Sequence, residues 1–153
     1  MENINANLCT DLVYAFAVLN GTTNKIQVFD SNVDINQGFY TKFVALKTQN
    51  PSLKTTIAIG GWTDSHDGTN KYSNMVASAA NRKTFIDSVM QFLTQYHFDG
   101  LDLDWEYPMT ESDKSGFANL LRELRAAFDS QYLLSVAVAA NQTIIDLGEK
   151  IIN

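Results

Sequence analysis

Two periods of apolar residues run along this chain. Residues 12–19, "LVYAFAVL", are a short and wholly apolar run, as expected of a strand covered on both faces. The polar stretch "NGTTNK" reads as a turn, and an amphipathic segment follows over 39–47. Pro51 and Ser52 break the chain before a second strand, 53–59, which runs into Gly60-Gly61. Phe85, Val89, Phe92, Leu93 and Tyr96 then recur at helical offsets and predict one apolar stripe, with Asn81 as its N-cap. A third strand covers 98–105. The next helix is capped near Ser112 and turns Phe117, Leu120, Leu121, Leu124 and Phe128 inward. "YLLSVAVAA", 132–140, is a fourth apolar strand, and 143–152 begins one more helix.

Alternating strands and helices with apolar strands predict an α/β domain built on a parallel sheet. A doubly wound sheet competes on pattern, but no GxGxxG or Walker-type phosphate loop follows any strand. At 153 residues the chain reads as one domain, without repeats or linkers. A net charge of −6 and the lack of a basic patch argue against nucleic acid as a partner. No apolar run approaches the roughly 20 residues of a membrane helix. The opening "MENINANLCTD" has neither a basic n-region nor an apolar h-region, so no secretory signal is read there. Cys9 is alone, excludes an internal disulfide, and is expected as a small buried thiol.

One stretch breaks the apolar rule. "FDGLDLDWEYP" places Asp99, Asp102, Asp104 and Glu106 among apolar neighbours, where unpaired charge is costly. Strand alternation puts Asp102, Asp104 and Glu106 on one face, roughly 6.6 Å apart, and Leu101, Leu103 and Trp105 on the other. Adjacent carboxylates raise one another's pKa, which suits a general acid near neutral pH. A solvated acidic face and a Mg²⁺ or Ca²⁺ site are the alternatives, although strands are poor in Asp and no calcium-loop spacing is present. Carboxylates placed for catalysis account best for the pattern.

"DGLDLDWEYP" resembles the DGxDxDWE signature of glycoside hydrolase family 18, the chitinases. "LKTTIAIGGW" resembles that family's third-strand motif, "CTDLVYAFA" its second barrel strand and "YLLSVAVAA" its fifth, closest to the animal members. The resemblance implies a (β/α)8 TIM barrel, of which residues 1–153 form a partial catalytic domain with about half the barrel, four parallel strands with helices. It implies Glu106 as the general acid, Asp104 as the residue that orients the substrate's N-acetyl group, and Asp102 as the carboxylate sharing a proton with Asp104. Trp62, Tyr107, Gly61, Phe16 and Tyr14 match positions around the sugar cleft, with packing as the other role open to each aromatic. Tyr14 and Phe16 have equal parity and are expected on the same face. Asp99, Gly100 and Gly60 match structural positions of the motif, and Ala58 stands where many members carry serine.

The implied activity is substrate-assisted, retaining hydrolysis of chitin or N-acetylglucosamine oligomers, with no metal and no cofactor, in an extracellular protein. The sequons Asn20-Gly21-Thr22 and Asn141-Gln142-Thr143 fit such an address weakly. A non-catalytic, chitin-binding lectin-like relative is the competing expectation, and an intact Glu106 speaks against it. The family's first strand, the cysteine that commonly pairs with the Cys9 position, the sixth-strand tyrosine and aspartate, and the eighth-strand tryptophan have no counterpart here. The expectation is a truncated fragment, poorly active or unable to fold alone, whose open barrel edges favour self-association.

Overall fold

The computed structural model describes residues 3–140, so the helix expected over 143–152 and the sequon at Asn141 lie outside the described residues. Strands β1 (Asp11–Asn20) and β2 (Lys25–Val28) form an antiparallel hairpin. Strands β3 (Lys54–Gly60), β4 (Gly100–Asp104) and β5 (Leu133–Val136) then add in parallel, giving the order β2-β1-β3-β4-β5. The parallel strands lie side by side in chain order. A doubly wound sheet would reverse direction at a switch point, and this open sheet does not.

Crossovers carry helices α1 (Phe39–Val44), α2 (Gly61–Ser65), α3 (Lys71–Val76), α4 (Ala79–Tyr96) and α5 (Glu111–Phe128). The stripes expected of the two long helices are buried: Phe85, Val89 and Leu93 of α4, and Phe117, Leu120, Leu124 and Phe128 of α5. They share one core cluster with Ile57, Ile59, Leu101 and Leu103 of the sheet. Each large aliphatic side chain there contributes about 2–5 kcal/mol, judged by truncation to Ala.

Several expectations are corrected. A strand that the apolar pattern does not predict begins at the last residue of "NGTTNK". "KIQV" forms β2, closed by a turn in which the Asn20 Oδ1 accepts the Thr22 and Thr23 amides at 3.0 Å each. Helix α4 starts two residues before Asn81, with Ser78 as its cap; Ser78 Oγ accepts the Asn81 N–H at 3.1 Å. The cap of α5 is Thr110, not Ser112. Thr110 Oγ1 accepts the Asp113 N–H at 3.0 Å, and the Asp113 carboxylate accepts the Thr110 N–H in return. The fourth expected strand shortens to Leu133–Val136, an edge strand with Leu133 exposed. Cys9 is exposed because it sits in the loop ahead of β1 and not within the apolar run.

One side chain fixes the β3–β4 register. Asp99 Oδ2 accepts from the Thr55 N–H (2.8 Å), the Thr55 hydroxyl (3.0 Å) and Lys47 Nζ (2.9 Å). Burial pushes its pKa up, but the Thr55 amide and the Lys47 ammonium outweigh burial and hold it below the usual carboxylate range. Gly100 follows because a side chain there would meet the Leu133 carbonyl oxygen at 2.4 Å. Asp99→Ala should cost about 1–3 kcal/mol in urea unfolding at pH 7, from the donors left unpaired at Thr55. A depressed carboxylate stabilises the fold above its unfolded pKa, about 3.9, and ceases to as pH falls through the lower folded value. The gap between wild type and variant should therefore narrow in acid below about pH 4.

Candidate active site

Strand β4 sorts its residues by face. Leu101 and Leu103 are buried against the helices, while Asp102 and Asp104 are half-buried on the opposite, open face of the sheet. The alternation continues past the strand end, with Trp105 buried and Glu106 half-buried. Asp102, Asp104 and Glu106 thus rise in a row to the C-terminal edge of the sheet. The Ser135 hydroxyl of β5 donates to Asp102 Oδ1, so the lowest carboxylate is tied to the neighbouring strand. Asp104 is the carboxyl whose pKa is raised, first by burial, then by the charges of Glu106 and Asp102.

The glycines ahead of Trp62 have separate steric reasons. Gly60 lies beside Asp104 in the register, at φ +118°, and a Cβ there would sit 2.2 Å from the Asp104 carbonyl oxygen. Gly61, at φ +76°, lies under the Phe16 ring, 3.1 Å from where its Cβ would be. Phe16 therefore reaches the strand ends, and Tyr14 does not. Tyr14 packs edge-on against Tyr40 and Phe43, with ring centroids 5.0 and 5.3 Å away, and donates its hydroxyl to Asp34. The expected shared face of Tyr14 and Phe16 is thus a correction. The β1–β3 register shifts between Tyr14 and Ala17, so Leu12 and Tyr14 face the helices before the break and Ala17 and Leu19 after it. Asp99 and Gly100 lie at the opposite end of β4 from Glu106, where they hold strands together.

A cleft of about 810 Å³ opens beside Glu106, lined among others by Trp62, Ser65, His66, Tyr72, Trp105 and Tyr107. Asp102 and Asp104 are outside its lining and stand on the adjoining open face of the sheet. Trp62 is 62% exposed, with the His66 ring stacked on it at 3.8 Å and 25°. An exposed indole with one face covered by another ring offers its remaining surface to a flat apolar partner.

Other residues of the site carry no sequence motif. Asp64 of α2 is buried and accepts from Lys71 Nζ (2.6 Å), the Tyr72 hydroxyl (2.6 Å) and the Leu19 N–H (3.1 Å). Lys71 also reaches Asp67 at 2.8 Å, which lowers the Asp67 pKa to about 2. Tyr72 stacks on Trp105 at 5.7 Å and 19°, and Trp105 meets Phe117 edge-on at 5.6 Å. Ser65, next to Asp64, accepts the Glu106 N–H at 3.1 Å. The polar pair "DS", one residue beyond Gly61-Trp62, is the available signal; nothing in the spacing links it to Lys71 and Tyr72. No group of three or more His, Cys, Asp or Glu among the described residues is placed to hold a metal ion.

Residues 1–153 match the family model "Glycosyl hydrolases family 18". The chain is 42% identical to probable chitinase 10 of Drosophila melanogaster, over 98% of its own length and 7% of that protein. It is 37% identical to chitotriosidase-1 of Mus musculus, over 98% of its length and 33% of that protein. Among solved structures it resembles catalytic domain 2 of the Ostrinia furnacalis group II chitinase, in a complex with penta-N-acetylchitooctaose (NAG)5. That match has a TM-score of 0.90 and 42% identity, over 95% of this chain and 40% of the other. The chain thus spans a third or less of these two curated relatives, and its open five-stranded sheet is a partial TIM-type barrel.

A carboxyl whose folded pKa is raised favours the fold only while protonated and opposes it once pH passes the folded value. Asp104→Asn should accordingly raise the melting temperature at pH 7. The difference should close as pH falls below the usual carboxylate range, measured by thermal unfolding across pH 3–8.

Proposed function

The chain belongs to glycosyl hydrolases family 18, and we propose that it carries the acid-bearing part of a chitinase active site, which hydrolyses β-1,4-linked N-acetylglucosamine polymers. One observation carries the reading: Glu106 stands at the lip of the aromatic cleft, at the top of a carboxylate row whose middle member is raised in pKa.

In this reading Glu106 gives its proton to the glycosidic oxygen as the bond to the leaving sugar breaks. The acetamide oxygen of the retained sugar attacks the anomeric carbon, so the substrate supplies its own nucleophile and the configuration is retained after water opens the cyclic oxazolinium. Asp104, below Glu106, takes the acetamide N–H and faces the positive charge that develops there. Asp102 shares a proton with it, and the Ser135 hydroxyl keeps Asp102 in place. Trp62 and Tyr107 stack on sugar faces, Phe16 and Gly61 lie together at the adjoining strand ends, and no cofactor takes part. Tyr14 serves this site only through the core.

The ligand is a chitin oligomer and not a nucleic acid, consistent with the net charge of −6. We place the protein outside the cell; among the described residues no helix is long and apolar enough to cross a membrane. The edge of β5, which no strand among the described residues pairs, and exposed side chains such as Val13 and Leu133 are where the chain would associate with itself, or with further barrel strands.

The test is hydrolysis of a chromogenic N-acetylglucosamine oligomer, beside Glu106→Gln. The variant should lose about 10²–10⁴-fold in kcat and still bind the oligomer, read from tryptophan emission. Binding without turnover in the wild type would favour the lectin-like alternative. Turnover that survives Glu106→Gln would remove Glu106 from the acid's role.

A further inference from the structure

Glu106 lies beyond the last paired residue of β4, so the sheet ladder ending at Asp104 does not hold its backbone. The amide of Glu106 donates instead to Ser65 Oγ at 3.1 Å, across 41 positions of sequence. Ser65 is the last residue of α2, a five-residue helix that is too short to hold its own place. What holds α2 is its preceding residue, Asp64. The Asp64 carboxylate is bound on three sides, by Lys71 Nζ and the Tyr72 hydroxyl of α3 and by the Leu19 amide of β1. Tyr72, held at its hydroxyl, lies flat on Trp105, the neighbour of Glu106. Two adjacent side chains of α2 thus reach the acid by different routes, one through its amide and one through the ring beside it.

We propose that Ser65 is a positioning residue for the general acid: its hydroxyl accepts the Glu106 amide, on a helix pinned by buried Asp64, and so fixes where the Glu106 carboxyl stands in the cleft. The proposal rests on Glu106 being the acid. The bond is made to backbone, so it sets the direction of the side chain without engaging the carboxyl that must carry and release the proton. Ser65 lines the same cleft as Trp105 and Glu106.

Ser65→Ala removes the acceptor, and Ser65→Thr restores an oxygen at the same place. In the 153-residue chain, Ser65→Ala should lower kcat about tenfold, the worth of one well-placed hydrogen bond, with KM and the melting temperature little changed. Ser65→Thr should recover most of the loss. A second readout needs no turnover, because Asp104 feels the charge of Glu106. In the ¹³C-carboxyl titration by NMR, Ser65→Ala should bring the Asp104 midpoint down toward the ordinary range, and Ser65→Thr should return it. An Asp104 midpoint unmoved by Ser65→Ala overturns the proposal, as does a kcat loss that Ser65→Thr leaves unrepaired. If the wild-type chain does not hydrolyse the oligomer, the functional reading fails for this chain alone, and the Asp104 titration still decides whether Ser65 positions Glu106.

Discussion

A slip of one residue between β3 and β4 would turn Asp102 and Asp104 into the helix-facing core and Leu101 and Leu103 out of it. Everything at the site depends on that register being held. Asp99 holds it from the strand's lower end, through the Thr55 amide and hydroxyl, and Lys47 supplies the counter-charge. Gly60 holds it from the upper end, since only a residue without Cβ can lie against the Asp104 carbonyl. Between these two points the pleat does the sorting, and acids and aliphatics separate by face without further instruction.

The second constraint is the cost of burying charge. The Asp64–Lys71 pair, with side chains 8% and 9% exposed, is tolerated because the remaining oxygen of Asp64 is taken by Tyr72 and Leu19. Losing one member of such a pair leaves the other uncompensated, at about 3–5 kcal/mol. The pair is therefore a poor source of stability, and in the arrangement of α2 and α3 against β1 both of its charges are met. That arrangement brings Trp62, Ser65 and His66 to the cleft.

The parts legible in the sequence were those where neighbours in sequence share one environment. The carboxylate row needed only strand parity, and the stripes of α4 and α5 needed only helical periodicity. Asp99 and Gly60 stand out as structural residues of the motif, although their partners, Thr55 and the Asp104 carbonyl, are 44 positions away in each case. Parity misled at Tyr14 and Phe16, because a local shift in register between β1 and β3 inverts the alternation, and no composition marks it. The hairpin strand "KIQV" is too short and too polar to stand out, and it is held from outside, by the Ser88 hydroxyl on the Ile26 amide. Asp64 and Ser65 acquire their roles from Lys71, Tyr72 and Glu106. Such partnerships belong to the tertiary structure and leave no period behind.

The two tryptophans of this chain both line the cleft beside the same acid, in opposite situations. Trp62 stands in water with an imidazole on one face, and Trp105 is sealed between Tyr72 and Phe117. Their fluorescence is therefore divided by exposure: the red-shifted, quencher-accessible part belongs to the open side of the cleft, and the blue-shifted part to its buried wall. Acrylamide would silence the first and spare the second, so this one molecule carries separate optical gauges of the cleft's open side and of its buried wall.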